Sequence, residues 1–439
     1  NKLKFNEIKE LVLYYQIAKE GINEKNETVK KYNVIFDKEK LHTLFHKKGI
    51  AYSDILKNDL LPVIELLKED EPKLTSGPKV LEFEEKWSSW VGCKYSVFVN
   101  SGSSANLLCL ALLKELYPKG GKVIVPPFTW SSDISSLIWM GFDPLFVDIN
   151  LGTLGLDSKK TIKTFEEIKD VRAIFITHAQ GLNALDNELL EYINKNKIFL
   201  IEDVCESHGV KILNQKKAGS FGDLSCFSFY YAHHISTIEG GMICTNNESY
   251  YQILRMLRSH GMLRESDDNQ LKKKFVKDFP DLNPKFIFTR PAFNVRNNEI
   301  GAIIGMEQLK RLDDIVSRRA RNFEKFLSLC PDWIFKEYVL EGQSNYAFNI
   351  ILNEPDKELF SKLCLSFDEN GIEYRVGSAG GGNQLRQPYV RKITNFTEKE
   401  IKKNFPNSEH VHFFGMYIGN FPDLEDAEIE WICKILSNV

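Results

Sequence analysis

Four short stretches of this sequence carry side chains whose types and spacing could do chemistry together. The first is Val97-Phe98-Val99-Asn100-Ser101-Gly102-Ser103-Ser104-Ala105-Asn106, an apolar run ending in a small, hydroxyl-rich turn where a helical period begins. Free N–H groups at such a helix start, with the hydroxyls of Ser103 and Ser104, can hold a phosphate. Many N-capped helices read the same way, so the turn alone leaves anion binding and plain capping both open. The second, Pro126-Pro127-Phe128-Thr129-Trp130, offers an indole that either covers a flat ring by stacking or fills a core. The third is Ile201-Glu202-Asp203-Val204-Cys205-Glu206-Ser207-His208-Gly209. A carboxylate leaving an apolar strand is costly to bury without a partner. Asp203 therefore either caps a helix or faces a ring nitrogen, which its charge would keep protonated so that the ring acts as an electron sink. The fourth runs from Gly219 through Phe227-Ser228-Phe229 to His233-His234 and Glu239-Gly240-Gly241. Neighbouring histidines rarely converge on one ion, and with His178 and His208 they form no zinc spacing, so no metal is expected.

The elements that must position these residues follow from periodicity. Residues 1–72 are charged and helical in pattern, notably 5–19 and 53–67, with Ser53 a suitable N-cap. They carry no catalytic signature and read as an extension that packs on the body or on a partner subunit. From Leu74 short apolar runs at 96–99, 123–125, 144–147, 173–176, 198–201, 226–229 and 242–244 alternate with helical stretches such as 104–116 and 187–194. Runs rich in Val, Ile and Phe between helices imply a doubly wound, mostly parallel sheet with ligands at the carboxyl ends of its strands. One long amphipathic segment, 298–327, leads to a second portion with strands at 344–352 and 374–376 and helices at 356–370 and 423–436. The expected division is an extension over 1–72, a large α/β domain over 73–325 and a small α+β domain over 326–439.

Bulk properties narrow the class. A chain of 439 residues, 43% hydrophobic, buries a sizeable core and is expected to form more than one domain. A net charge of -3 with mixed signs gives neither a nucleic-acid nor a membrane footprint. No stretch approaches the ~18 consecutive apolar residues of a membrane span. The eight cysteines, scattered and without a CxxC, read as buried thiols of a reducing compartment, and a soluble cytoplasmic protein is expected.

Taken in order, the motifs resemble the pyridoxal-phosphate-dependent sugar aminotransferases of the DegT/DnrJ/EryC1/StrS family. The resemblance runs from Leu74 to the C-terminus and includes Thr75-Ser76-Gly77-Pro78 and Phe293-Asn294-Val295-Arg296-Asn297-Asn298-Glu299. It implies a fold-type-I transferase using pyridoxal or pyridoxamine 5'-phosphate, as a homodimer with shared active sites. The family places a lysine five residues after the serine of Phe-Ser-Phe, and counting from Ser228 lands on His233. Lysine forms a Schiff base with the cofactor; imidazole cannot hold that linkage, yet it moves protons near neutral pH. The exchange characterises the family's sugar 3-dehydratases, which make 3-deoxy sugars. One type carries a cysteine-bound iron–sulfur cluster, but no cysteine stands between Cys244 and Cys330, where its ligand set begins. The type that uses L-glutamate is therefore favoured.

By the same resemblance Trp130 stacks on the ring and Asp203 pairs with its nitrogen. Glu206, where many relatives have Gln, lies near the ring hydroxyl. Ser103, Ser104 and Ser228 hold the phosphate, Asn294 reaches across from the other subunit, and His233 is the catalytic base. The glycine-rich segment from Tyr374 to Arg386 is either a structural turn or a receiver for a diphosphate or α-carboxylate, with Arg375, Asn383 and Arg386 as its candidates. The segment from Gly415 to Asn420 resembles one that borders the sugar pocket. The implied substrate is a 4-keto-6-deoxy sugar linked to GDP or CDP, used for surface polysaccharides. Two rivals remain: an aminotransferase with a displaced lysine, Lys216 or Lys217, and a silent paralogue that only binds.

Overall fold

The computed structural model describes residues 55–439, so Ser53 and the helical period at 5–19 lie outside the described residues. The helix expected from Ser53 is α1 (Lys57–Leu67), and its N-cap is Leu56, whose N–H donates to Asp59 Oδ2 at 2.8 Å. α2 (Pro78–Val91) starts at the Thr-Ser-Gly-Pro motif, with Pro78 in the first turn, where its missing N–H costs nothing. Glu299 explains that motif: its buried carboxylate accepts the N–H groups of Gly77, Lys79 and Val80, each at 3.0 Å, and so caps α2 from a distant segment.

The large sheet has seven strands. They are β1 (Tyr95–Val99), β2 (Lys122–Val125), β3 (Asp143–Phe146), β4 (Val171–Thr177), β5 (Phe199–Asp203), β6 (Leu224–Ser228) and β7 (Gly241–Thr245), in the spatial order β1-β7-β6-β5-β4-β2-β3. β2 to β6 pair in parallel, and β7 alone runs antiparallel to both its neighbours. Between them lie α3 (Gly102–Leu116), α4 (Ser131–Trp139), α5 (Ser158–Glu167) and α6 (Asn187–Asn196), with α7 (Glu248–Arg258) following β7. The strands are apolar on both faces because both are covered. Val97, Val99, Ala173 and Phe175 enter one core, while Phe98, Ile174 and Ile176 enter the other, as the two-residue period of a strand requires.

α8 (Asn269–Asp278) is surface-borne and has no buried residue. The long amphipathic segment is two helices, α9 (Glu299–Leu309) and α10 (Leu312–Leu329). Apolar residues continue in register across the break, which hid it from periodicity. Arg311 marks the break and turns its guanidinium to Asp59 on α1, at 2.6 and 2.7 Å.

The second sheet is antiparallel: β8 (Ala347–Ile351), β9 (Tyr374–Val376) and β10 (Gly415–Gly419), in the order β8-β10-β9. α11 (Lys357–Asn370), α12 (Pro388–Arg391), α13 (Glu398–Asn404), α14 (Pro406–Phe414) and α15 (Asp426–Ser437) complete this part. Its core joins Phe323 and Phe326 of α10 to Phe348, Leu363, Phe367, Met416 and Ile418. β10 is the central strand, a role that its five residues between two glycines did not announce. Among the described residues no helix is long and apolar enough to cross a membrane.

Candidate functional site

A cavity of about 290 Å³ opens at the carboxyl ends of β4, β5 and β6, beside the turns that follow β1 and β2. This is where parallel sheets bind ligands, because strand ends and helix starts converge there. Seven of the expected residues line it: Ser103, Trp130, Asp203, Glu206, Ser228, His233 and Arg375. Six of these come from four strand ends and the turns after them, those of β1, β2, β5 and β6, brought together only by the order of the sheet.

The turn after β1 builds one wall. Ser101 caps α3, its Oγ accepting from the Ser104 N–H at 3.1 Å. The N–H groups of Gly102 and Ser103 in the first turn of α3 have no intrahelical acceptor and suit an anion. Gly102 is required here, since a Cβ would sit 2.6 Å from Ser228 Cβ. A Cβ on Gly241 would meet the Ser101 carbonyl at 2.3 Å, so the Glu-Gly-Gly motif lets β7 run beneath the turn. Ser104 turns aside and donates to Asn100 Oδ1 at 2.7 Å rather than lining the cavity.

The floor is polar. Asp203, only 3% exposed, accepts the Cys205 N–H at 2.8 Å and the Asn106 amide at 3.3 Å. Glu206 accepts the Gln180 N–H at 3.1 Å, a donor aimed by Gln180's left-handed backbone, with φ of 57°. Burial, assisted by the charge of Asp203 and opposed by the Gln180 N–H, raises the Glu206 carboxyl from 4.5 to about 7. The folded protein thus keeps a proton there that the unfolded chain loses, and its stability falls as pH rises from 4.5 to 7. Glu206→Gln should flatten the dependence in that window, as urea unfolding of the cofactor-free protein at a series of pH values would show. An unchanged slope would refute the assignment.

His233 is half-buried on the opposite side, its ring 5.7 Å from that of Tyr346, and its Nδ1 has no partner. Burial, and then the Arg319 cation, lower its pKa to about 3, so the imidazole is neutral. His234 diverges from it, as successive side chains do. Its Nε2 meets the Ser344 carbonyl at 3.1 Å and its Nδ1 faces His208 at 3.4 Å. Among the described residues no lysine lines the cavity: Lys217 donates to the Trp90 carbonyl at 2.8 Å, its ammonium 4.5 Å from the Trp90 ring centroid.

Besides Ser104, three expected residues are not brought to the cavity. Arg386 forms a two-pronged ion pair with Glu409, and Asn383 donates to the same carboxylate at 2.8 Å. The loop expected to receive a ligand anion is thus neutralised by α14, and of its candidates only Arg375 reaches the cavity, with Nη1 3.5 Å from the Tyr417 hydroxyl. Asn294 is exposed outside the cavity, its backbone bridged to Ser259.

Sequence reasoning missed Ser101, Asp133, Thr177 and Tyr346, and reached Tyr417 only as part of the segment from Gly415 to Asn420. Asp133 carried a faint signal, a carboxyl in the polar Ser-Ser-Asp run just after Thr129-Trp130. Tyr346, just ahead of β8, had none.

The residues present fit a phosphorylated pyridine. The free N–H groups of the first turn of α3 and the serines match a phosphate, the half-exposed Trp130 a ring face, and buried Asp203 a ring N–H. The family described as the DegT/DnrJ/EryC1/StrS aminotransferase family matches residues 54–437. GDP-4-keto-6-deoxy-D-mannose 3-dehydratase of Escherichia coli O55:H7 is 33% identical over 373 residues, 84% of this chain and 94% of that protein. A GDP-4-keto-6-deoxymannose-3-dehydratase solved as a His-to-Asn mutant with bound GDP-perosamine superposes with a TM-score of 0.77 at 30% identity, covering 88% of this chain and 99% of that one. A second structure of a GDP-4-keto-6-deoxymannose-3-dehydratase, with a trapped PLP-glutamate geminal diamine, gives 0.75 at 30% identity over 88% and 99% of the two chains.

Proposed function

This chain belongs to the DegT/DnrJ/EryC1/StrS aminotransferase family, and from that premise we propose that it is a pyridoxamine-phosphate-dependent 3-dehydratase of GDP-4-keto-6-deoxymannose. L-Glutamate is the amino donor, and the enzyme serves the supply of 3-deoxy sugars for surface polysaccharide. One observation carries the reading: His233, a neutral imidazole, stands in the cavity where the family's lysine would, and among the described residues no lysine lines that cavity.

When bound, the cofactor supplies an amine to condense with the keto group and a ring that takes up electrons. The chain's residues do the rest. Asp203 holds the ring nitrogen protonated, and Trp130 covers one ring face and excludes water. Ser103, Ser228 and the first turn of α3 hold the phosphate. Glu206, near its own pKa at neutral pH, shares a proton with the ring hydroxyl. His233, lining the cavity, would take a proton and then return it to the departing C3 hydroxyl. Arg375, Tyr346 and Tyr417 border the space left for the sugar nucleotide. Ser104 acts by orienting the turn; Asn383 and Arg386 are structural, committed to Glu409.

Incubation with GDP-4-keto-6-deoxymannose and glutamate should yield a 3-deoxy sugar nucleotide, ammonia and 2-oxoglutarate without a reductase. Mass spectrometry that finds an amino sugar instead would favour the aminotransferase reading. Borohydride treatment followed by peptide mapping should find no cofactor attached to a lysine. We further place the enzyme as a cytoplasmic homodimer in which Asn294, exposed in the single chain, completes the partner's phosphate site. Mixing Asn294→Ala and His233→Asn proteins should restore part of the activity through hybrid dimers. No recovery despite confirmed subunit exchange would exclude the sharing. The large and small domains then meet near residue 325, with the sugar nucleotide between β4–β6 and β9–β10.

A further inference from the structure

Tyr346 reaches the cavity from the chain leading into β8, and its backbone is fixed on both sides. The N–H donates to the Gln180 carbonyl at 3.0 Å, and the carbonyl accepts from Arg319 Nη1 at 2.9 Å. The residue is only 7% exposed, and its ring lies 5.7 Å from that of His233 and 6.3 Å from that of Tyr417. Among the described residues nothing hydrogen-bonds its hydroxyl. A polar group kept from water without a partner is a cost to the fold, and phenylalanine would fill the same space without it. The oxygen therefore points to a ligand. Its neighbours are engaged or more open to solvent. The Tyr417 hydroxyl accepts from Arg375 Nη1 at 3.5 Å, and Tyr230, with its ring 6.2 Å from that of His233, is 46% exposed. Burial, then the Tyr417 phenol and the Glu206 carboxyl, push the Tyr346 phenol above its usual range against Arg319 and Arg375, so it stays protonated and acts as a donor.

We propose that the Tyr346 hydroxyl is a catalytic donor that hydrogen-bonds the C3 oxygen of the sugar as that hydroxyl departs. This deepens, and rests on, the reading of the cavity as a 3-dehydratase site. His233 must reach the C3 oxygen to return its proton, and the phenol packed beside His233 is placed to reach the same oxygen. The C3–O bond breaks with its electron pair going to oxygen. The proton carried by His233 completes a water molecule, and Tyr346 keeps its own proton throughout. Its hydrogen bond strengthens as negative charge grows on the oxygen, which lowers the barrier more than it tightens binding.

Titration calorimetry of the pyridoxamine-phosphate-loaded protein with two unreactive ligands tests the contact. One is GDP-6-deoxymannose, whose 4-hydroxyl cannot condense with an amine, and the other is its 3-deoxy counterpart. Tyr346→Phe should bind the first about three- to tenfold more weakly than wild type, the size of one neutral hydrogen bond, and the second equally tightly. Formation of the 3-deoxy product should fall by a factor on the order of 10², that of one lost donor to a developing oxyanion. Equal losses on both ligands, no loss on either, or product formation at the wild-type rate each overturn the proposal alone. Wild-type protein that binds neither GDP sugar overturns the reading of the site and the proposal with it. The variant removes no bond of the folded chain and so should fold. If it does not, wild type decides: equal affinity for the two ligands overturns the contact, and tighter binding of the first supports it.

Discussion

His233→Asn is expected to lower formation of the 3-deoxy sugar by a factor on the order of 10²–10⁴, the range of a missing acid–base group. Asparagine keeps much of the shape and hydrogen-bonding capacity of the imidazole but accepts no proton. Cofactor binding should survive, because Asp203, Trp130 and Ser103 approach from other strands and Ser228 is held within β6 itself. In the empty cavity burial and Arg319 hold His233 near 3, so it is neutral at every physiological pH. The anionic phosphate and diphosphate of the filled site oppose Arg319 and raise its basicity, so activity should fall on acidification at a pH above 3. His233→Lys should let the cofactor become covalently attached and shift the product toward an amino sugar. Wild-type turnover by His233→Asn, with cofactor loading verified, would remove the imidazole from the mechanism.

Glu84→Gln is expected to lower the stability of the protein by about 3–5 kcal/mol, read as a shift of the urea unfolding midpoint. Glu84 on α2 and Arg258 at the end of α7 form an ion pair of 2.5 Å with both side chains almost fully buried. The pair also finishes an open sheet edge. β1 is an edge strand, and Phe98 gives its N–H to Glu84 at 2.7 Å while its carbonyl accepts from Arg258 at 2.9 Å. The amide of the variant can still accept from Phe98, but it leaves a buried guanidinium charge uncompensated. Replacing both partners, as Glu84→Leu with Arg258→Met, should not restore wild-type stability. It strands the Phe98 N–H and carbonyl at about 1–3 kcal/mol each. Full recovery in the double variant would mean that the edge is satisfied by other means. The catalytic turn begins three residues beyond Phe98, so the same variants should weaken cofactor binding before they unfold the chain.

The sequence by itself determined the large sheet, because each strand there is a local event. A run of Val, Ile and Phe between turns is buried on both faces, and the expected runs fall within a residue or two of β1 to β7. It also determined the residues at the strand ends, since a ligand site in a parallel sheet draws on the turn after each strand, and those turns stand out as small or polar motifs. His233 was legible for a sharper reason: it breaks a pattern at a fixed count from Ser228.

Only the tertiary structure decided the rest. Arg386 and Asn383 read as ligand groups because sequence cannot show the countercharge, and Glu409 stands more than twenty residues away. Asp133 is an ordinary first-turn acid until α4 sets it against Asp203 on a strand seventy residues on. Tyr346 and Tyr417 enter the cavity only because β8 and β10 pair across some seventy residues of chain. Charge pairing and burial depend on distance in space, and spacing along the chain reports distance only within one strand, one turn or one helix.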